Sequence, residues 1–214
     1  MKAAVIRRTR ADKIFDTCNA VLMVLLLLIT LYPLYFVLIA SVSDAYEVAK
    51  GNVFAIPKGI TFESYMNVFR ESRIWLGYRN TIFYAVFGTA FSLILTIPSA
   101  YALSKKTLPG RGAISIFFLI PMYFNGGLIP TYLVMKQINM VDQWYSLIFI
   151  AASSVYNMIV TRVYFQSNVP EELYESARID GASELRTFFS IALPLVKPII
   201  AVMTLFFAVA RWND

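Results

Sequence analysis

A charge-free apolar run over 21–39 constrains the fold of this chain more than any other feature. A helix that crosses a bilayer needs about 20 mainly apolar residues, and this run meets that length. Further apolar segments of similar length follow, and the spans expected are 14–40, 81–103, 113–135, 144–164 and 195 to the end of the chain. Backbone groups in lipid must bond within their own segment, so each span is expected to be a helix. Arg7, Arg8 and Arg10 precede the first span, as in a secretory leader. The apolar run is too long for a leader and no small-residue cleavage site follows it, so an uncleaved span is expected.

Charged residues make up 15% of the chain and hydrophobic residues 58%, against about 25% charged in soluble domains. The net charge of +6 does not point to nucleic acid, because the basic residues flank apolar spans. That placement follows the rule that sets membrane orientation. Lys2, Arg7, Arg8, Arg10 and Lys13 put the N-terminus inside; Lys105, Lys106 and Arg111 put the second loop inside as well. The short loop 137–143 is then outside, and the loop 170–194 is cytoplasmic. The segment 41–80 falls outside. It reads either as a plain connector or as partly folded, with a turn at Pro57, Lys58 and Gly59 and a helix over 62–69 capped by Thr61.

Several chemistries are excluded. There is no His, so a His base or His-ligated metal is ruled out in this chain. Cys18 is the one cysteine and cannot form an internal disulfide. No Asp, Glu, Lys or Arg falls near the middle of an expected span; Arg162 and Arg211 lie near span ends. That argues against a proton-coupled carrier and against an embedded acid–base or metalloenzyme. A phosphate-binding loop needs a Gly-Lys pair, which is absent. Energy for uphill transport would therefore come from another subunit. A channel or secondary carrier, and an assembly subunit with no transport role, are the competing classes.

Polar and helix-breaking residues interrupt the spans: Thr89, Ser92, Thr96, Pro98 and Ser99, then Tyr123, Asn125, Gly126 and Gly127, then Ser153, Tyr156 and Asn157 on one expected helix face. They suit either helix–helix packing or a solute path. Tyr123, Asn125, Tyr156 and Asn157 are the candidates for contact with such a solute, through aromatic faces and amide or hydroxyl groups.

The cytoplasmic loop is the most informative segment. Asn168 and Pro170 signal a helix start, Glu171 and Glu172 favour its first turn, and Gly181 suits its stop. A second helical stretch over 183–192 is expected to end at Leu193 and Pro194. Ala177 and Gly181 would share a face, with Glu175 and Arg178 beside it and Leu173, Ile179 and Leu185 apolar. A docking helix seated in a partner's groove and an interfacial hairpin on the headgroups both fit these features.

The spacing resolves that choice by resemblance. Glu175-Ser176-Ala177, three residues, Gly181, nine residues, and Ile191-Ala192-Leu193-Pro194 resemble the EAA loop of bacterial ABC importer permeases, whose pattern is E-A-A, three residues, G, nine residues, I-x-L-P. Ser176 departs from it, small for small. The region 81–194 resembles the binding-protein-dependent, maltose-permease-like group for carbohydrate uptake. The stretches 56–65 and 124–133 look like its oligosaccharide and polysaccharide branch.

The resemblance implies an all-α integral membrane protein with the type I ABC importer transmembrane domain. It also implies two regions. Residues 1–75 hold the cytoplasmic N-terminus, first span and outer segment; residues 76–214 hold the permease domain, with its coupling loop at about 167–194. Five of an expected six spans are present, so the chain is expected to be truncated at its C-terminus, the alternative being a five-span protein ending outside. The implied protein is a multi-pass component of the bacterial inner membrane with a cytoplasmic N-terminus, and not an enzyme. Its implied partners are a second permease subunit, an ABC ATPase dimer, an extracytoplasmic solute-binding protein, the sugar and membrane lipid, with no nucleic acid. ATP and Mg would sit in the ATPase, leaving no cofactor here. Glu175, Ser176, Ala177, Arg178, Asp180, Gly181, Ile191, Leu193 and Pro194 would form the ATPase-coupling loop, with Leu193 and Pro194 setting the angle at which the fifth span begins.

Overall fold

A computed structural model describes residues 9–124 and 126–213. Lys2, Arg7, Arg8, Asn125 and Asp214 lie outside the described residues. Among the described residues every regular element is helical. The chain divides into two compact units between Trp75 and Leu76.

In the first unit, α1 (Arg10–Ser41) starts at a reciprocal cap. The Thr9 hydroxyl accepts from the Asp12 N–H, and the Thr9 N–H donates to the Asp12 carboxylate. At 1.5 Å per residue α1 is about 48 Å long, more than a hydrocarbon core of about 30 Å requires. Ile39 is its one buried residue. A helix apolar all round and uncovered by protein belongs in lipid. Ser41 and Ser43 fold back onto the carbonyls of Leu38 and Ile39 (2.8 and 2.6 Å) as it ends.

The segment beyond is folded. Asp44 caps α2 (Ala45–Ala49), accepting from the N–H groups of Tyr46 and Glu47. Two backbone bonds close the turn near Gly59: Asp44 N–H to the Lys58 carbonyl and Thr61 N–H to the Val42 carbonyl, each 3.0 Å. Tyr35 and Tyr32 donate to the carbonyls of Ala55 and Phe54. The helix expected at 62–69 is α3 (Glu63–Arg70), and it has no side-chain cap on N2 or N3. Thr61 lies one residue too early for that and instead accepts from the Glu63 N–H at 3.2 Å.

The second unit contains most of α4 (Ser72–Ser104), which begins just before the division; among the described residues α1 and α4 are the helices long and apolar enough to cross a membrane alone. Thr89, Ser92 and Thr96 are buried on it, and the hydroxyls of Thr89 and Ser92 have no hydrogen-bond partner among the described residues. The third expected span, 113–135, is not one helix. It is α5 (Arg111–Tyr123) and α6 (Leu128–Gln137), bent by 117°. Pro121 and Pro130 remove backbone donors, and Gly127 takes φ +83°, which glycine alone adopts freely.

The fourth expected span, 144–164, is likewise broken, into α7 (Ser146–Ile150) and α8 (Val155–Asn168). Ser154 caps α8 by accepting from the Asn157 N–H. Ser153 therefore lies outside the helix and does not share a face with Tyr156 and Asn157. Serines favour such caps because their hydroxyls compete for nearby backbone groups.

The loop after α8 holds α9 (Glu171–Ile179), α10 (Glu184–Thr187), a π-helical turn over Phe188–Ala192 and α11 (Leu193–Leu195). Then α12 (Lys197–Asn213) leaves at 81°. Ile97, Ala100, Tyr101 and Leu103 of α4, Met158 and Phe165 of α8, Phe188 and Ala192 of the π turn, and Ile199, Met203 and Phe207 of α12 form one buried cluster. That core fixes the base on which the loop sits.

Candidate functional site

The loop begins where α8 stops. Asn168 ends that helix, its amide donating to the Tyr164 carbonyl at 3.0 Å, so it is not the start signal expected of it. Pro170 is the N-cap of α9, with Glu171 and Glu172 in the first turn beside the positive end of the helix dipole. The helix stops at Gly181, φ +72°, where the Ala182 N–H reaches back to the Ala177 carbonyl at 2.9 Å. Ser183 then caps α10.

The two faces of the loop differ. Ala177, Thr187 and Phe188 are buried, whereas Ile179 is 86% exposed and Leu185 71%. Glu175, Ser176, Arg178, Asp180 and Gly181 are also exposed. Ala177 thus lies against the protein's own core side and does not share an open face with Gly181. Arg178 reaches Glu184 at 3.9 Å across the elbow, a surface pair worth about 0–1 kcal/mol.

The second helical stretch does not end at Leu193 and Pro194. Pro194 has no N–H, and its ring would crowd a regular preceding turn. The π turn loosens that turn, with the Leu193 N–H bonding to the Phe188 carbonyl. The helix runs through Pro194 to Leu195, and the sharp bend falls at Val196, which is fully buried. Leu193 and Ile191 are half-buried and Pro194 exposed.

Beneath α9 sits a cluster that sequence reasoning missed. Lys105, just past the end of α4, places its ammonium 2.9 Å from the Tyr174 ring centroid and 4.8 Å from that of Tyr101. It lies 4.0 Å from Glu184, which also accepts from the Tyr101 hydroxyl at 3.3 Å. The Lys105 side chain is 12% exposed. Burial pushes its ammonium below the ordinary lysine range, and Glu184 and Glu171 pull the other way. Burial, then Glu171 and Glu184, push the Tyr174 hydroxyl up to about 12. Lys105 counted in the sequence only as an orientation charge. The contact with α9 joins residues far apart in the chain, which no local spacing signals.

Of the described solute-path candidates, Tyr156 lines a cavity of about 510 Å³, with Ser153, Phe117, Phe118, Pro121 and Met122. Tyr123 and Asn157 do not line it, and Asn125 lies outside the described residues.

Residues 74–214 match the family described as the binding-protein-dependent transport system inner membrane component. The chain is 39% identical over 206 residues to protein LplC of Bacillus subtilis (strain 168), covering 96% of this chain and 70% of that one. It is 36% identical over 202 residues to the polygalacturonan/rhamnogalacturonan transport system permease protein YtcP of the same organism, covering 94% and 70%. The fold matches a chain in the crystal structure of a bacterial ABC transporter involved in the import of the acidic polysaccharide alginate. That match has a TM-score of 0.93 and 38% identity, over 98% of this chain and 75% of that one. The fold is accordingly that of a type I ABC importer permease. With most of its length matched and the loop spacing in place, the chain belongs to the inner membrane components of binding-protein-dependent transport systems.

Proposed function

We propose that the chain is the membrane permease subunit of an ATP-driven importer of oligosaccharides or polysaccharide fragments. Solute would arrive from an extracytoplasmic binding protein and cross between this chain and a second permease. An ABC ATPase dimer, holding ATP and Mg, would supply the energy from the cytoplasm, so this chain needs no ATPase site of its own. The N-terminus and the loop 170–194 would both face the cytoplasm.

The observation that carries the reading is the two-faced loop, with Ala177 and Phe188 in the chain's own core and Ile179 and Leu185 left bare on the other side. A groove in the ATPase would receive that tip, and Glu175, Arg178 and Asp180 would add charged contacts at its rim. Burying one isoleucine contributes about 1.5–3 kcal/mol, roughly 10- to 150-fold in affinity. Ile179→Asp should therefore strip the ATPase from the purified permease and abolish ATP-driven uptake. The fold should survive, since the side chain is 86% exposed. Full ATPase co-purification with this variant would defeat the proposal. Gly181→Arg is a poorer probe, because φ +72° strains any side chain there.

For the cargo, an acidic oligosaccharide heads the panel. Polygalacturonan and alginate, named for two of the similar proteins, are both polyanionic. Uptake of a labelled uronate oligomer, competed by a neutral maltodextrin, separates the acidic from the neutral class.

A further inference from the structure

A cavity of about 390 Å³ opens between the end of α4, the start of α5, the end of α8 and the start of α9, within the range of about 300–1,000 Å³ typical of ligand sites. Lys105, Lys106, Arg111, Gln166 and Tyr174 line it, and Glu171 is the one carboxylate among its walls. Glu184, outside the cavity walls, lies 4.0 Å from Lys105, so the three cations face two carboxylates and one positive charge is left over. Lys106 and Glu171 pair only loosely, at 3.9 Å, with Lys106 77% exposed.

The donors there are not used up. Arg111 gives its Nε–H to the Leu103 carbonyl at 2.9 Å, and its other two nitrogens have no acceptor among the described residues. The Tyr174 hydroxyl is buried with no hydrogen-bond partner. Buried donors without acceptors and uncompensated guanidinium groups both carry a cost, which an anion with several acceptor oxygens would remove. The cavity directly follows Ser104, the last residue of a helix long and apolar enough to cross a membrane.

We propose that this cavity binds a phosphate group, delivered by an anionic lipid headgroup or by free phosphate. Arg111 offers its two terminal nitrogens, Lys105 and Lys106 supply point charge, and the buried Tyr174 hydroxyl and the Gln166 amide, which also holds the Ser104 carbonyl at 3.2 Å, are the remaining donors. Pro170, Glu171 and Tyr174 belong to the base of α9, so occupancy would stiffen the mount of the loop. The site does not depend on the docking assignment of Ile179, and either can fail alone.

The test uses the full transporter purified in neutral detergent. Phosphatidylglycerol and phosphatidylcholine are offered in mixed micelles, and retained lipid is counted by native mass spectrometry; inorganic phosphate is titrated separately by calorimetry. The wild type is expected to retain phosphatidylglycerol preferentially, and less of it as ionic strength rises. Lys106→Gln with Arg111→Gln should weaken retention roughly 30-fold, taking each basic group at its usual worth near an anionic surface. Because Arg111 also holds the Leu103 carbonyl, Lys106→Gln alone is run beside it, with about a 5-fold loss expected. Phosphate binding without lipid preference would identify free phosphate as the source. Absence of both in the wild type would overturn the proposal. So would unchanged preference in a folded double variant.

Discussion

Arg211→Met is the substitution whose effect follows most directly from the geometry. Arg211 lies in the last turn of α12 and is 5% exposed. Its two terminal nitrogens donate to the carbonyls of Leu147 (2.5 Å) and Ile148 (3.2 Å). Those carbonyls belong to α7, a helix so short that its last carbonyls lack partners of their own. The guanidinium also packs on α4: a Cβ built on Gly88 would lie 2.9 Å from its Nε. Arg211 thus joins α12, α7 and the face of α4 that carries no side chain. Two charge-assisted bonds contribute about 1.5–3 kcal/mol each; relief of the buried charge offsets part of that. The expected loss is about 2–4 kcal/mol, or roughly 5–15 °C in the unfolding midpoint for a domain of this size. Arg211→Lys keeps the charge but cannot span two carbonyls, and should fall about halfway. Thermal unfolding of the purified complex in detergent reads both. A methionine variant as stable as wild type, or a lysine variant as damaged as methionine, would refute the role.

Two glycines provide an internal control for strain against contact. Gly51 and Gly59 have φ +71° and +62°, but a Cβ on Gly51 meets nothing within 4 Å, whereas one on Gly59 lies 2.9 Å from the Asp44 Cβ. Gly51→Ala should cost about 1 kcal/mol and Gly59→Ala about 2–4, seen as faster proteolysis within the segment after α1. Tyr174 sets the sign of an alkaline limb. Its folded hydroxyl titrates at about 12 against an ordinary 10, so the folded state holds the proton longer. Stability from this group is full below pH 10 and is lost as pH rises through about 12. Lys105, with its folded pKa lowered, contributes in the opposite sense below the ordinary lysine range. Tyr174→Phe should flatten the loss above pH 10 in a melting-temperature profile, and an unchanged profile would count against the burial of that hydroxyl.

Apolar length made α1 and α4 legible in the sequence, because lipid leaves a helix little alternative. The other expected spans were harder to read. Hydropathy over 113–135 is continuous, yet Pro121, Gly127 and Pro130 break it into α5 and α6. Continuous apolar character fixes the environment of a segment but not its straightness. The same holds for 144–164, where Ser154 caps a new helix. In the loop, the Gly181 elbow and both short helices followed from caps and composition. The side from which Ala177 is covered did not, since a small residue at a helix position suits the chain's own core as well as a partner. The π turn had a visible cause in Pro194, but proline alone does not decide between a break and a widened turn; burial of Phe188 and Ala192 in the core decides it.

The loop's construction also bears on how motion would travel through it. A coupling element needs one face fixed to the parts that move and one face free for the partner. The fixed face has two attachments in different parts of the chain. Through Lys105, Tyr101 and Glu184 it is tied to the end of α4; through Phe188, Ala192 and Val196 it is continuous with α12 and packed in the core that α4 and α8 share. A push on Ile179 or Leu185 would then reach α4 and α12 together. A loop hinged at the Gly181 elbow alone would spread the motion among its own torsions. The ring contacts of Tyr101 with Phe188 (4.8 Å) and Phe165 (5.6 Å) oppose that spreading, because close-packed aromatic groups shift as blocks. In the proposed mechanism, the short distance from the bare tip to these two helix ends lets one docking event move both.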